Sequence, residues 1–470
     1  MSSRSYKSIF QKAESCAIIC RYPEKKGNFA VKKESFVRRI ISIALPLMIQ
    51  QLCLQFQVWI DRAMLGHVNT EFFSAVGNAL VPYNAAVAII NAICGGTAIL
   101  AAHRIGAGNT RALKALSRSS YLGNTLISAG AFLLFLFFTD PLFTLMGVKE
   151  PILGYSAAYI RIVTISLLVL GPMATSSALL QGMGSTRMIM LSGITGNVIN
   201  ILLDWLLING RFGLPAMGIA GAAWATTIAN FIAAPMLIIH VLHRREISPA
   251  GERGKGLGSS LRAYGAVLKM GLPSGLEYAL WHVGNMFVVS YLNRLDNMAA
   301  GIYTLIFSIE SLPLLIYMGF ANAGLTLVGQ KTGEREPRQA RRAGFACLGF
   351  SLAVCAAVAV LFLALPRGIL ALFTNDAGLV DYAAPYLMFT ASIMFPKAIN
   401  AVIGLCIRGT GDTRWMLFTQ VFGTVFVIIC SRCLIFTAGL ELMGIFVTLL
   451  ADEGLRGLMN LIHFVRRTRT

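Results

Sequence analysis

Charge is what this chain has least of. Only 13% of its 470 residues are Asp, Glu, Lys or Arg, while 56% are hydrophobic, and mean hydropathy is +0.68. A soluble domain carries about 25% charged residues, so roughly half of what keeps a globule in water is missing. That deficit excludes most soluble enzymes and any disordered scaffold. Acidic residues are the scarcer sign: 21 Asp and Glu stand against 40 Lys and Arg, for a net charge of +19.

Other signatures are missing as well. The six histidines have no metal spacing beyond the pair His240 and His243, which reads as part of a solvated loop. The nine cysteines form no disulfide framework. Most sit in apolar runs, where Cys behaves as a small hydrophobe, and the Cys430–Cys433 spacing has no second pair to complete a metal or redox site. The run Gly251-Glu-Arg-Gly254-Lys255-Gly256 lacks the spacing and the Ser/Thr of a phosphate loop. Neither ATP-driven work nor any enzymatic step is therefore expected of this chain alone. Residues 1–38 hold no sustained apolar core and read as a basic tail rather than a signal peptide.

What the chain does have is apolar length. Twelve stretches reach membrane-spanning dimensions, at roughly 40–65, 73–101, 119–139, 155–181, 188–208, 216–242, 270–292, 298–328, 344–365, 382–407, 415–436 and 444–465. The expected class is an all-α polytopic membrane protein with both termini on one side. The basic residues then sort by side. The tail with the adjoining Arg39, and the alternate loops on the same side, hold 31 of the 40; the opposite loops hold four, Lys149, Arg211, Arg294 and Arg367. Such a bias is the positive-inside pattern, so both termini are expected in the cytoplasm of a cell whose plasma (inner) membrane the chain crosses. Nucleic acid is thereby excluded as the reason for the basic charge.

The two halves repeat at a shift of 227 residues. Leu45-Pro46 recurs as Leu272-Pro273, and the run Gly182 to Arg187 recurs as Gly409-Thr-Gly-Asp-Thr-Arg414. Met217-Gly218 recurs as Met443-Gly444 after a one-residue gap. The expected organisation is a first lobe at 39–245 (helices 1–6), a cytoplasmic linker at 246–269 and a second lobe at 270–470 (helices 7–12). Six helices is an even number, so the lobes enter the membrane in the same sense and a two-fold axis along the membrane normal should relate them. Two lobes around a cleft within one chain favour a monomeric alternating-access carrier over a channel or a receptor.

Ionisable groups inside the spans cost at least a few kcal/mol and are functional candidates by default. Asp61 and Asp204 lie near the outer ends of spans 1 and 5, and Asn200 shares a helix face with Asp204 four positions away. Tyr159 and Thr226 can bring hydroxyls to a similar depth. In a low-dielectric surround, burial and mutual repulsion would lead such a carboxylate pair to hold a proton; the same oxygens could coordinate Na⁺. Bland readings stay open for each: Asp61 paired with adjacent Arg62, Tyr159 as an interfacial aromatic. Pro46 breaks the ladder of helix 1 and is read as a hinge or a static kink. The second lobe carries Glu277, Glu310, Lys397, Arg432, Asp452, Glu453 and Arg456, whose mixed signs favour mutual neutralisation, with Glu277 a possible substrate contact.

These residues resemble the multidrug and toxin extrusion (MATE) family over roughly residues 36–467. The resemblance rests on Leu45-Pro46 through Asp61 and Gly66-His67, on Asn200-Ile-Leu-Leu-Asp204, on Met217 through Thr226, and on Arg408 to Arg414. It implies two lobes in a V and export of organic, often cationic or amphiphilic, small molecules driven by H⁺ or Na⁺ entry, with no other cofactor. It also implies a coupling site of Asp61, Asn200, Asp204 and Thr226 with Tyr159 nearby, and a bend at Pro46. Some relatives carry an Asp in helix 10, where this chain has Lys397, so a second-lobe Na⁺ site is not expected. The alternative within the superfamily is a lipid-linked saccharide flippase, which needs a basic central cavity built on Lys397 and Arg432.

Overall fold

The computed structural model describes residues 36–249, 257–295 and 297–469. The basic tail and the centre of the linker lie outside them, as do the side chains of Arg62 and His67. Among the described residues all regular structure is helical, and twelve long helices account for the twelve apolar runs. They are α1 (Phe36–Val68), α2 (Thr70–Gly106), α3 (Thr110–Leu145), α4 (Ile152–Met183, with one 3₁₀ turn at Thr164–Ser166), α5 (Arg187–Asn209) and α6 (Gly218–His243). The second set is α7 (Leu257–Leu295), α8 (Asn297–Gly333), α9 (Pro337–Ala364), α10 (Ala377–Gly409), α11 (Thr413–Arg432) and α12 (Glu441–Arg467). Ten of these are long and apolar enough to cross a membrane; α7 and α12 are not among the ten, and α12 carries Asp452, Glu453 and Arg456 near its middle. A helix is what hydrocarbon demands, because it satisfies every backbone polar group within the segment.

The repeat is visible in how the helices pack. Within each lobe the first helix lies on the fifth, α1 on α5 and α7 on α11. Between lobes the first helix of each packs on the second helix of the other, α1 on α8 and α7 on α2. The lobes also meet where α2 crosses α8, close to the end at which α1 begins and α12 stops. At that crossing a Cβ on Gly106 would lie 1.9 Å from the Gln330 carbonyl oxygen, so only glycine permits the approach. Neutral hydrogen bonds lock the same end. His103 Nε2 bonds to the Gly409 carbonyl (2.7 Å), Gln330 Nε2 donates to Gly182 O (2.8 Å), and Thr326 Oγ1 donates to Gln181 O (3.1 Å). Arg39 adds a charge-assisted bond to Gln330 Oε1 (2.5 Å).

Pro46 sits inside α1 and cannot donate to the carbonyl of Ser42 four residues back. That carbonyl is not left bare. Thr186, 1% exposed at the turn between α4 and α5, places Oγ1 at 3.3 Å from Ser42 O and 3.0 Å from Ile43 O. A hydroxyl on a neighbouring element thus re-satisfies the break, as hydrocarbon requires. It also ties the proline turn of α1 to the start of α5, the helix that carries Asn200 and Asp204.

In the second lobe the loop Thr410–Asp412 is fixed by Asp412, which caps α11 by accepting from Trp415 N (3.3 Å) and pairs with His463 Nε2 of α12 (3.0 Å). The hydrogen bond from His463 holds the Asp412 carboxyl below its ordinary value, against the opposing effect of partial burial.

Two outcomes follow from these local contacts. Thr186→Val leaves the Ser42 carbonyl unsatisfied in a dry site and should cost about 1–3 kcal/mol, whereas Thr186→Ser should restore most of it; thermal unfolding of the purified variants reads both. For Asp412 the folded value is depressed, so its stabilisation is present above the unfolded value of about 3.9 and lost as pH falls through the folded one. Asp412→Asn should therefore lower the unfolding temperature at neutral pH and lose that deficit in acid; a pH-independent deficit would refute the assignment.

Candidate functional site: a carboxylate pair in the first lobe

Three helices of the first lobe turn polar stripes toward one another. On α5, Gly193, Asn197, Asn200 and Asp204 recur at spacings of four, three and four, which is one helix face. On α1, Gln50, Leu54, Gln57 and Asp61 follow the same spacing, and α6 supplies Thr226 and Asn230. Gly193 lets α5 come close, since a Cβ there would lie 2.7 Å from Gln50 Cγ. The stripes enclose a cavity of about 310 Å³, which Tyr159 of α4 and Tyr83 and Asn84 of α2 help to line.

Asp61, Asn200, Asp204, Thr226 and Tyr159 all line this one cavity. Asn200 is its hub. With its amide nitrogen turned to the carboxyl groups, it lies 3.2 Å from Asp61 Oδ1 and 3.3 Å from Asp204 Oδ2; its oxygen then accepts from Thr226 N (3.2 Å) and Oγ1 (3.3 Å). Gln57 touches the same Asn200 and donates to Asp61 Oδ2 (3.3 Å). The two carboxyl groups thus share one amide, with Asn200 between them. Two bare carboxylates held so close repel, which favours a proton or a cation between them. Asp204 is 1% exposed, and its Oδ1 has no protein partner. Tyr159 is 5% exposed and its hydroxyl faces Thr226, which makes it a wall of the cavity and not an interfacial anchor.

Sequence reading missed the neutral part of the site: Gln57, Asn197, Asn230 and Tyr83. The signal was there, in the four-residue spacing of Gln57 to Asp61 and Thr226 to Asn230, but uncharged amides do not stand out among ordinary helix residues. Pro46 lies fifteen residues before Asp61, outside the cavity lining.

The second lobe neutralises its buried charges. Lys397 Nζ meets Glu310 Oε1 at 2.8 Å, Arg408 Nη2 meets Glu277 Oε1 at 2.6 Å, and Arg456 holds Asp452 (2.5 Å) and Glu453 (3.3 Å). Glu277 is thus the partner of Arg408 and lines neither the first-lobe cavity nor its second-lobe counterpart. Arg432 is exposed, away from both cavities. The flippase alternative is not favoured by these positions: one of its two cations is paired with a carboxylate and the other lines neither of the two lobe cavities. Among the described residues no cluster of His, Cys, Asp and Glu could hold a metal ion by its ligand set.

Fold and cavity together define an integral-membrane transporter of two pseudo-symmetric six-helix lobes. The chain belongs to the MatE family, whose model matches it twice, at residues 46–206 and 273–432. The two matches begin 227 residues apart, the shift at which the halves repeat. The chain is 26% identical over 450 residues to a probable multidrug resistance protein NorM of Thermotoga maritima, covering 93% of this chain and 94% of that one. It is 28% identical over 396 residues to the multidrug resistance protein PmpM of Pseudomonas aeruginosa, covering 82% and 81%. Among solved structures, MATE in the bent conformation superposes with a TM-score of 0.85 at 18% identity, over 92% of this chain and 95% of that one. An outward-facing multidrug resistance MATE family transporter superposes at 0.83, also at 18% identity, over 92% and 96%.

The hub generates a specific expectation. Asn200→Leu removes the amide shared by both carboxyl groups and by Thr226. A lost hydrogen bond to a charged or proton-sharing group is worth about 1.5–3 kcal/mol, and thermal unfolding should show a loss of that order. Thr226→Val removes one neutral partner and should cost less.

Proposed function

We propose that this protein is a secondary antiporter that exports organic small molecules, many of them cationic or amphiphilic, in exchange for an inward-moving ion. The observation that carries the reading is the Asp61–Asp204 pair, joined through the amide of Asn200 in a cavity of the first lobe. A pair that shares a proton at rest and loses it when water or a cation enters is a coupling device. The coupling ion is H⁺ or Na⁺. Mutual repulsion between two carboxyl groups that share one amide favours H⁺, and the unpartnered Asp204 Oδ1 is the oxygen free to take part in either case.

Transport proceeds by alternating access. The seal around Gly106, Gln330 and His103 closes the end at which α1 begins and α12 stops, and the excess of basic residues supports a cytoplasmic position for that end. The protein is a monomer of the plasma membrane. The bend at Pro46 links the state of the carboxyl pair to the packing of α1, through Gln57 on one side and Thr186 on the other. The names of NorM and PmpM support chemically diverse organic compounds as substrates.

The test is efflux and counterflow in proteoliposomes with imposed pH or Na⁺ gradients. Asp204→Asn should abolish gradient-driven efflux while the protein still folds and inserts. Unchanged coupled efflux in that variant would sink the proposal, and a response to a Na⁺ gradient alone would move the coupling from H⁺ to Na⁺.

A further inference from the structure

The second lobe carries another cavity, of about 260 Å³, at the end where α1 begins and α12 stops. It lies where the α8–α9 turn, the α10–α11 loop and the end of α12 come together, and Arg335 and Arg467 line it. Among the described residues neither arginine makes an ion pair or a side-chain hydrogen bond. Two acids close by in the chain are engaged elsewhere: Glu334 with Lys331 (2.6 Å) and Asp412 with His463 (3.0 Å). Glu336 lines the cavity too, so its own balance is two cations against one carboxylate, with exposed Arg338 and Arg466 flanking it in sequence. The hydroxyls of Thr332, Thr410 and Thr468 donate back to the carbonyls of Val328, Ile407 and Phe464 (2.8, 2.7 and 2.7 Å). The side-chain donors left to the cavity are the two guanidinium groups.

The repeat shows that this charge belongs to the second lobe alone. At the 227-residue shift Arg335 corresponds to Gly108 and Glu336 to Asn109; beyond the one-residue gap Arg467 corresponds to Val241. None of the three first-lobe positions holds a cation. Gly108 turns with φ at +66° and Arg335 with φ at +62°, so both turns use left-handed backbone and only the first supplies glycine for it. An arginine kept at such a position is strained in a way that the turn itself does not require. Asn109 also caps α3 by accepting from Ala112 N (2.8 Å), whereas Glu336 gives α9 no side-chain cap. The positive end of α9, at Pro337 on the cavity wall, is therefore left open.

We infer that this cavity binds a phosphate ester, the head of an anionic phospholipid in the adjoining leaflet, between Arg335 and Arg467. A guanidinium fork matches phosphate oxygens two at a time, and one anion between two forks relieves their repulsion. At about 15 Å³ per water-sized group the space holds roughly 17, more than the ten or so heavy atoms of a phosphoglycerol head. Lipid is the source because the α8–α9 turn joins two membrane spans. The exposed face of α9 passes from Arg338 and Arg342 to the apolar Phe345 within two turns, which marks the level of the headgroups. Thr332 lies two residues after Gln330, and Thr410 follows Gly409, whose carbonyl takes His103. A phosphate held here braces the second-lobe side of that seal. The site does not depend on which ion drives transport.

The experiment is thermal unfolding of the full chain in detergent, titrated with short-chain phosphatidylglycerol, phosphatidylcholine of the same chains, or glycerol 1-phosphate. A ligand of the folded state raises the unfolding temperature with its concentration, which gives an apparent affinity. Phosphatidylglycerol should bind about tenfold or more tightly than phosphatidylcholine, whose choline offsets its phosphate. Arg335→Gly restores the first-lobe residue. It should leave the unfolding temperature without lipid unchanged or higher, yet weaken phosphatidylglycerol about tenfold or more. Arg467→Gln should weaken it to a similar extent. Arg245→Gln removes an exposed cation at the same end of the first lobe and should leave the affinity as it was. Equal weakening by Arg245→Gln would reveal diffuse attraction to a basic surface and overturn the site. So would equal affinity for the two lipids, or an Arg335→Gly variant that loses stability without lipid and keeps its affinity for phosphatidylglycerol. Glycerol 1-phosphate binding as tightly as the lipid would overturn the membrane as the source of the phosphate.

Discussion

In hydrocarbon a polar group without a partner has no water to turn to, and that constraint organises this molecule at every scale. It makes the backbone helical along all twelve runs. It puts the Thr186 hydroxyl on the carbonyls that Pro46 would otherwise leave bare. It draws Arg456 onto Asp452 and Glu453, and Lys397 onto Glu310. Few buried polar atoms among the described residues escape it; one is Asp204 Oδ1, which has no protein partner and lies beside a second carboxyl group that repels it when both are ionised.

The two lobes show what a duplication keeps and what it can change. Helix packing is kept, because α1 on α5 and α7 on α11 answer the same demand for close apolar contact. The cavity is kept too, at corresponding positions. Its lining is not. The first lobe surrounds two carboxyl groups with amides and hydroxyls, which suits a proton or a small cation. The second sets a paired Lys397 and Glu310 beside aromatic rings. Closure at the basic end relies mainly on glycine contacts and neutral hydrogen bonds, such as His103 to Gly409 and Gln330 to Gly182. Contacts of that kind are individually modest, about 0.5–1.5 kcal/mol each, and neither of these two buries an ion pair.

Much of this was legible in the amino-acid sequence. Hydropathy marked twelve apolar runs, and each became a helix, although α7 and α12 are less apolar than the ten that qualify as membrane spans. The repeat was legible because Leu45-Pro46 and the glycine-rich turn at Gly182 recur in register with Leu272-Pro273 and Gly409. Asp61, Asn200 and Asp204 were conspicuous because so few acids lie within the spans. The amides Gln57 and Asn197 were not, since nothing local distinguishes a site amide from any other polar residue on a helix.

What the sequence determined by itself is therefore the class, the twelve helical runs, the duplication and the first-lobe acids, all of which rest on composition and spacing along one chain. Only the tertiary structure decided which charges meet. It gave Glu277 to Arg408, Lys397 to Glu310 and His103 to Gly409, and it turned Arg432 away from the cavities. Each of those outcomes depends on which faces of separate helices come together, a relation between residues tens to hundreds of positions apart that periodicity within a helix cannot encode.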